Sequence, residues 1–352
     1  MKFYLIDPHR QDFYNNGLFN EKKYIHLKIF NDVKKNLKKR GIILDTIDLH
    51  DIRKADQIFF IDYNDFTLFF NGKSKYLKLC LEAKIPNNRM NLIISECPII
   101  KPFNWNKENH KYFSRIFTWD DALVDNKKYF HYFVPISEIG INTKKIPYAN
   151  KKMLVIINMN KVNYYKYELY SLRKKAIRYF ERYHPKDFDL YGKGWDNPLH
   201  LKHLYSAIKG NYTKLLNFGF DYWNNTKGYP SYKGVVKNKY EILSQYKYSI
   251  CFENMSNVDG NLTEKIFDCF KAKCVPIYYG SQNIEKYIPS NLFIDFRKFN
   301  DFESLYLFLT KIDETQYLLY ISRIEKFLKS NKIKKWYSKN YCRNIFLNRN
   351  II

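Results

Sequence analysis

The sequence predicts an α/β fold built from two units, and three observations support that prediction. The chain has 352 residues, which is enough for two hydrophobic cores. Hydrophobic residues make up 45% of it and aromatic residues 18%, as is typical of a folded protein. Short apolar runs rich in β-forming residues alternate along the chain with segments of helical periodicity. This alternation favours parallel sheets with helices packed on them.

The first predicted unit covers residues 1–150. Its predicted helices cover about 23–39 and 73–83, and its predicted strands, all short and apolar, are 2–6, 43–48, 57–62, 91–95, 116–119 and 130–134. Strand 91–95 continues directly into Glu96, and Pro98 prevents a helix immediately afterwards. Glu96 is therefore expected at the carboxyl end of a strand, where a general base would face the cleft of a two-domain enzyme. A Glu exposed in a turn is the simpler alternative.

The second predicted unit covers residues 151–321 and follows a polar linker at 139–151. Its predicted helices cover about 166–183, 238–246, 264–272 and 301–311, and its predicted strands are 153–157, 188–191, 248–252, 274–278 and 292–296. Residues 196–236 are predicted to be a long irregular segment that lines or covers the cleft. Arg173 and Arg178 flank the apolar stripe of helix 166–183. Such charges are usually solvated, and the sharper hypothesis pairs one of them with phosphate.

The stretch 248–280 carries the densest set of polar residues at predicted strand and helix ends. Strand 248–252 ends in two polar side chains, and Thr263 is a good N-cap for helix 264–272. Helix N-termini at the carboxyl ends of parallel strands attract anions. We therefore expect one crevice to be surrounded by Glu253, Asn254, Thr263, Glu264 and Lys265. A cation for phosphate and a carboxylate for a ribose diol suit a nucleotide-type ligand.

The chain is strongly basic, with a net charge of +25 from 60 basic and 35 acidic residues. A positive field favours anionic partners such as nucleic acid, anionic lipid or phosphorylated substrates, although a Lys-rich composition alone would also produce it. Residues 322–352 form a basic amphipathic C-terminal tail with nine Lys or Arg residues and a single acid. This tail is a candidate for peripheral contact with an anionic membrane. The alternative is a helix that packs back across the first domain.

The cysteines and the N-terminus indicate a cytoplasmic protein. The six cysteines include no CxxC pair and no His partner at metal-ligand spacing, so we expect buried reduced thiols and no metal site. The apolar run at the N-terminus is interrupted by Asp7, too early for a signal peptide. No apolar stretch approaches the roughly 20 residues that a membrane span requires.

Four pieces of the stretch 248–280 resemble the signature of the α-1,3-fucosyltransferases, glycosyltransferase family 10. They are Phe252-Glu253-Asn254, Thr263-Glu264-Lys265-Ile266, Val275-Pro276-Ile277 and Gly280. The resemblance is strong over about 238–300 and extends more loosely back to strand 91–95. It implies a GT-B architecture, in which two Rossmann-like domains face each other across the active-site cleft. The N-terminal domain would bind the acceptor, and the C-terminal domain would bind the nucleotide-sugar donor.

The resemblance also implies an activity and roles for particular residues. The implied reaction is inverting transfer of L-fucose from GDP-fucose to a hydroxyl of an N-acetylglucosamine-type residue, without a metal ion or other cofactor. Glu96 resembles the catalytic carboxylate, Glu264 the carboxylate on the ribose, and Lys265 the cation on the phosphates. Arg173 is the better match to the family's phosphate-binding arginine, and Arg178 is the second choice. The expected acceptor is a lipid-linked or lipopolysaccharide saccharide at the inner face of the membrane.

One residue departs from the family pattern. Family members commonly have a Tyr near the donor two residues before Thr263, and this chain has Asn261. Asn can hydrogen-bond a sugar or phosphate but cannot pack as an aromatic ring does. A family member that uses another GDP-sugar is therefore an alternative. A basic nucleic-acid-binding protein is a more remote one, because no RNP-like, zinc-finger or helix-turn-helix pattern appears.

Overall fold

The computed structural model describes residues 1–8, 10–21, 28–63, 74–136, 138, 146–163, 165–196 and 228–347. The chain divides into two compact units, but not at a single boundary. The first unit contains Met1–Ile139 together with Asp259–Glu264 and Ser330–Ile352, and the second contains Gly140–Val258 and Lys265–Lys329. The first unit thus takes up a short internal segment and the C-terminal residues in addition to the N-terminal part.

The first unit is built on a six-stranded parallel sheet with the order β2-β1-β3-β4-β5-β6. The strands are β1 (Lys2–Asp7), β2 (Ile42–Thr46), β3 (Gln57–Ile61), β4 (Met90–Ile93), β5 (Arg115–Thr118) and β6 (Tyr129–His131). All four residues of β4 are buried, as expected for a central strand covered on both faces. In the register of β3 and β4, Ile61 pairs with Ile93. The carboxyl ends of these two strands are therefore neighbours.

The described residues of the first unit include the helices α1 (Lys28–Lys38), α2 (Lys75–Glu82) and the C-terminal α8 (Ser338–Ile345). Helix α2 begins after Ser74, whose Oγ accepts a hydrogen bond of 3.0 Å from the Leu77 N–H. Helix α8 packs on α1, and the Phe30 and Tyr341 rings lie 6.2 Å apart in edge-to-face contact. Much of the predicted tail therefore packs on the first unit, as the second interpretation of that segment proposed.

The second unit contains a five-stranded parallel sheet with the order β11-β10-β9-β7-β8. Its strands are β7 (Lys152–Ile157), β8 (Phe188–Tyr191), β9 (Tyr246–Phe252), β10 (Val275–Tyr279) and β11 (Ile294–Asp295). Its helices within the described ranges are α3 (Tyr170–Tyr183), α4 (Lys239–Leu243), α5 (Glu264–Lys271), α6 (Phe302–Lys311) and α7 (Glu314–Lys329). Helix α6 begins with a capping box, in which Asp301 accepts from the Ser304 N–H at 2.7 Å.

Every predicted strand and helix is present, with ends that differ by a few residues. The predicted boundary between 321 and 322 is not a boundary, because it lies inside the continuous helix α7. The apolar face of that helix runs on through the buried residues Ile321, Ile324 and Phe327, so the increase in basic residues does not mark a change of structure. Most of the predicted linker, and residues 197–227 of the predicted irregular segment, lie outside the described residues.

Two further expectations concern the cysteines and the membrane. All six cysteine side chains are buried, as predicted. Within the described ranges, no helix combines the length and the apolar character that crossing a membrane requires.

Candidate active site

A buried ion pair lies at the carboxyl end of β9. Glu253 directly follows this strand and is fully buried, and its Oε2 lies 2.9 Å from Nζ of Lys265, the second residue of α5. The Lys265 side chain keeps 24% of its surface exposed. Burying a carboxylate costs several kcal/mol unless a partner compensates its charge. The Glu253–Lys265 pair therefore fixes both side chains, and it confirms that these two predicted site residues lie together.

Gly280 allows the loop after β10 to pass close to Glu253. A Cβ atom at this position would lie 2.5 Å from Glu253 Cγ and 2.6 Å from the hydroxyl oxygen of Tyr278, closer than real Cβ atoms approach other atoms. The Tyr278 hydroxyl also accepts a hydrogen bond of 3.1 Å from the Ser281 N–H. A side chain at residue 280 would therefore displace either the buried carboxylate or this turn.

Arg173 is an almost completely buried cation on α3, with 4% of its surface exposed. Its Nη2 donates to the carbonyl oxygens of Phe252 and Glu253, both at 2.6 Å, and to Asn254 Oδ1 at 3.3 Å. These are the acceptors left by β9 where its ladder ends. Burial lowers the pKa of the guanidinium, which still remains charged because its ordinary pKa is so high. Its predicted contact with donor phosphates stays a prediction.

Arg178 has partners that favour a structural role. Its Nη1 donates to Glu181 Oε2 at 2.8 Å and to the Gly228 carbonyl at 2.7 Å, and its guanidinium lies 4.0 Å from the centre of the Tyr229 ring. Glu181 in turn accepts from Ser231 Oγ at 2.8 Å. Arg178 thus joins α3 to the segment that begins at residue 228.

The segment Asp259–Glu264, which contains Asn261, belongs to the first unit. Gly260 adopts φ +77°, and a Cβ atom there would lie 2.1 Å from the Trp119 carbonyl oxygen, so glycine is required both by backbone conformation and by space. Asn261 is buried with 4% exposure, Thr263 is half-buried, and Glu264 is exposed in the first turn of α5. The predicted contact of Glu264 with a ribose stays a prediction.

Glu96 lies just beyond the end of β4 and is half-buried. Its N–H donates to Asp62 Oδ1 at 3.0 Å, and its carbonyl accepts from Trp105 Nε1 at 3.3 Å. The position predicted for Glu96 is confirmed, whereas Asp62 was missed. A signal for Asp62 was present, because it follows the apolar run of β3 in the same way that Glu96 follows that of β4.

The described residues contain no group of three or more His, Cys, Asp or Glu side chains arranged to hold a metal ion. The polar groups at the end of β9 include two cations, a carboxylate and an amide, whereas those at the end of β4 include two carboxylates. The first set can bind an anion, and the second can accept a proton.

The family model for the C-terminal part of glycosyltransferase family 10 (fucosyltransferase) matches residues 151–346, which is more than half of the chain. The chain belongs to glycosyltransferase family 10. This family 10 chain is 42% identical to the α-(1,3)-fucosyltransferase FucT of Helicobacter pylori over 79 residues, 22% of this chain and 15% of that protein. It is 44% identical to GDP-fucose protein O-fucosyltransferase 3 of Danio rerio over 52 residues, 15% of this chain and 11% of that protein. The matched stretches therefore span well under a fifth of either relative.

Two solved structures share the fold over almost the whole chain. A crystal structure of an α1,3-fucosyltransferase with GDP superposes with a TM-score of 0.54 at 14% identity, covering 99% of this chain and 90% of that one. Anabaena Alr3699/HepE in complex with UDP superposes with a TM-score of 0.55 at 9% identity, covering 100% of both chains. At these identities the likeness concerns the fold alone. The predicted fold class, two parallel-sheet α/β units of the GT-B type, is confirmed for this family 10 chain.

Proposed function

We propose that this chain is an inverting glycosyltransferase that moves L-fucose from GDP-fucose to a hydroxyl of an N-acetylglucosamine-type residue in a glycan. The observation that carries the proposal is the cluster of Arg173, Glu253, Asn254 and Lys265 at the carboxyl end of β9, within the part that matches the family model. The likeness to an α-(1,3)-fucosyltransferase of Helicobacter pylori supports this choice.

The donor part of the proposal follows from charge. A nucleoside diphosphate carries negative charge that grows as the sugar leaves, and cations already fixed by the protein stabilise it without reorganising. The ammonium group of Lys265 has three N–H donors and donates a hydrogen bond to Glu253 Oε2. Arg173 is a second fixed cation, and its Nη2 lies 3.3 Å from Asn254 Oδ1. Removing one such contact is expected to cost about 2–4 kcal/mol of transition-state stabilisation.

The acceptor part of the proposal assigns Glu96 as the general base. Its carboxylate takes the proton of the acceptor hydroxyl while that oxygen bonds to the anomeric carbon. The bond from the anomeric carbon to the phosphate oxygen breaks on the opposite face, so the configuration inverts and GDP leaves. A base of this kind contributes about 100- to 10,000-fold to a rate.

The proposed setting is the cytoplasm, with an acceptor that is a cell-surface or lipopolysaccharide saccharide, or a glycoprotein, and with no metal ion required. The chain would contact anionic membrane peripherally, through basic residues of 322–352 such as the exposed Lys332, Lys334 and Lys339. Transfer that persists in EDTA and co-sedimentation with anionic but not neutral vesicles are the expected results. Loss of transfer in EDTA, restored by a divalent cation, would overturn the metal-free part.

Another GDP-sugar donor is the second candidate, and Asn261 is the observation that favours it. An amide buried to 4% exposure replaces the aromatic ring of the family pattern, which changes the shape and hydrogen bonding available to the sugar. GDP-fucose and GDP-mannose should therefore be assayed side by side. Faster transfer from GDP-mannose would identify mannose, rather than fucose, as the donor sugar, with GDP still as the nucleotide.

The experiment that tests the proposal incubates the purified chain with GDP-fucose and an N-acetylglucosamine-containing oligosaccharide. The expected result is GDP release together with a product heavier by one deoxyhexose, with an anomeric configuration inverted relative to the donor, as measured by mass spectrometry and NMR. A folded chain that neither binds GDP nor transfers sugar from any GDP-sugar would contradict it.

A further inference from the structure

Every backbone N–H and carbonyl group of Ser95 and Glu96 forms a hydrogen bond with a side chain. The Ser95 and Glu96 N–H groups both donate to Asp62 Oδ1, at 2.7 and 3.0 Å. The Ser95 carbonyl accepts from Trp119 Nε1 at 3.1 Å, and the Glu96 carbonyl accepts from Trp105 Nε1 at 3.3 Å. A segment just beyond a strand end normally bonds to water or to its own turn. Here the two residues are fixed from both sides.

Asp62 is at the centre of this arrangement. It is buried with 2% exposure, and its N–H donates to the Ile93 carbonyl at 2.8 Å, which extends the pairing of β3 with β4 by one residue. Its backbone then turns sharply at φ +58°, a left-handed conformation that Asp tolerates better than most residues. The carboxylate accepts four hydrogen bonds, since Ser95 Oγ donates to Oδ2 at 2.5 Å and Asn104 Nδ2 donates to Oδ1 at 2.6 Å in addition to the two N–H groups.

A second layer holds Asn104 itself. Asn104 is fully buried, and its Oδ1 accepts from the Tyr63 N–H. The carbonyl oxygen of Asn104 lies 2.7 Å from His110 Nε2, and His110 Nδ1 lies 2.9 Å from the Tyr129 hydroxyl. The orientation of the Asp62 carboxylate is thus set by a chain of buried polar groups. Such a chain is costly to leave unsatisfied, so it holds one arrangement.

We infer that Asp62 is a positioning residue, which keeps the Glu96 backbone in the place from which its carboxylate reaches the acceptor hydroxyl. The inference rests on the proposed function. A general base must lie within hydrogen-bond reach of the proton that it removes, about 2.6–3.2 Å between heavy atoms. An error of about 1 Å in the placement of a reacting group can cost about 100-fold in rate. Asp62 touches neither sugar nor nucleotide in this account and acts through Glu96.

The first test is Asp62→Ala, which removes both acceptor oxygens, so the Ser95 and Glu96 N–H groups lose the Oδ1 that they share. We expect kcat to fall about 100-fold, with the KM for GDP-fucose and the affinity for GDP unchanged. The matched control is Asp45→Ala at β2, three strands from β4 in the sheet, which loses a carboxylate bonded to Asn16 and Lys34 and should leave kcat unchanged. Trp105→Phe, which removes one donor to the Glu96 carbonyl and keeps a ring, replaces Asp62→Ala if thermal melting shows that variant to be unfolded.

The decisive comparison repeats each substitution in a Glu96→Gln background, with residual transfer measured at high enzyme concentration. If Asp62 acts through Glu96, the second substitution costs no further activity once Glu96 is lost. The same fold loss in both backgrounds, or an unchanged kcat in the folded Asp62→Ala and Trp105→Phe variants, would overturn the inference while leaving the proposed function intact. A wild-type chain without sugar transfer would instead remove the proposed function, and the inference with it.

Discussion

The ends of β9 and β4 hold their functional side chains in opposite ways. At the end of β9, charged side chains make the contacts. Glu253 forms an ion pair with Lys265, and Arg173 donates hydrogen bonds to the carbonyl oxygens of Phe252 and Glu253. At β4, the uncharged donors Ser95, Asn104 and the Glu96 N–H surround Asp62, and two indole N–H groups hold the backbone that carries Glu96. The cations Arg173 and Lys265 suit binding of a diphosphate, and the Glu96 carboxylate suits removal of a proton.

The comparison predicts that activity and donor affinity separate at Glu96. Glu96→Gln keeps the shape and the backbone contacts but removes the proposed base, so kcat should fall by about 1,000-fold or more. Affinity for GDP should stay at the wild-type value. Steady-state kinetics and calorimetric titration measure the two quantities. A Glu96→Gln variant with wild-type kcat would show that Glu96 is not the general base, whatever the effect of the substitution on GDP binding.

The next largest effect is expected at Lys265, where stability and binding should change together. Lys265→Met leaves the fully buried Glu253 without its cation, which should cost about 3–5 kcal/mol of folding free energy and also weaken GDP binding. Adding Glu253→Gln to this variant should recover part of the stability without recovering GDP affinity. Denaturant titration measures the folding free energy, and GDP titration measures the affinity for GDP. If Lys265→Met and the Lys265→Met, Glu253→Gln double variant were equally stable, the unpaired Glu253 carboxylate would not be the cause of the stability loss.

A smaller loss is expected from Gly280→Ala, which adds one methyl group against Glu253 Cγ and the Tyr278 hydroxyl. Overpacking of this kind costs about 1–3 kcal/mol. Thermal melting should place Gly280→Ala below the wild type. A Gly280→Ala variant as stable as the wild type would contradict the close packing described at β10.

The smallest effect should come from Arg178. Arg178→Gln removes a half-buried contact with Glu181 and Gly228, so a stability loss of about 1 kcal/mol is expected. Its affinity for GDP should match that of the wild type. A GDP affinity that falls as much as in Lys265→Met would identify Arg178, rather than Arg173, as the phosphate-binding arginine.

The sequence predicted the elements well because each strand is a short apolar run bounded by turn residues. It placed Glu96 and Glu253 correctly for the same reason, and it placed Lys265 by the predicted start of helix 264–272. Polar residues that follow such runs come to the carboxyl edge of a parallel sheet. Asp62 met this criterion too, but the prediction placed it inside strand 57–62. Its role depends on contacts with residues more than 30 positions away, and spacing along the chain carries no signal for those.

The two arginines and the tail show the limits of local pattern. Arg173 and Arg178 look equivalent on a helical stripe, and only the packed structure separates a buried group at a strand end from one that joins α3 to a neighbouring segment. In the tail, the count of basic residues obscured an apolar spacing of three through Ile321, Ile324 and Phe327, which continues α7. Periodicity was the better guide there, because burial rather than charge decides where a helix ends.

GDP titration of the wild type, Glu96→Gln and Lys265→Met, with UDP as the competing nucleotide, tests the division of roles most directly. We expect that the wild type and Glu96→Gln bind GDP equally, that Lys265→Met binds it more weakly, and that UDP binds none of them comparably. Equal GDP binding by all three proteins, or a preference for UDP, would contradict it.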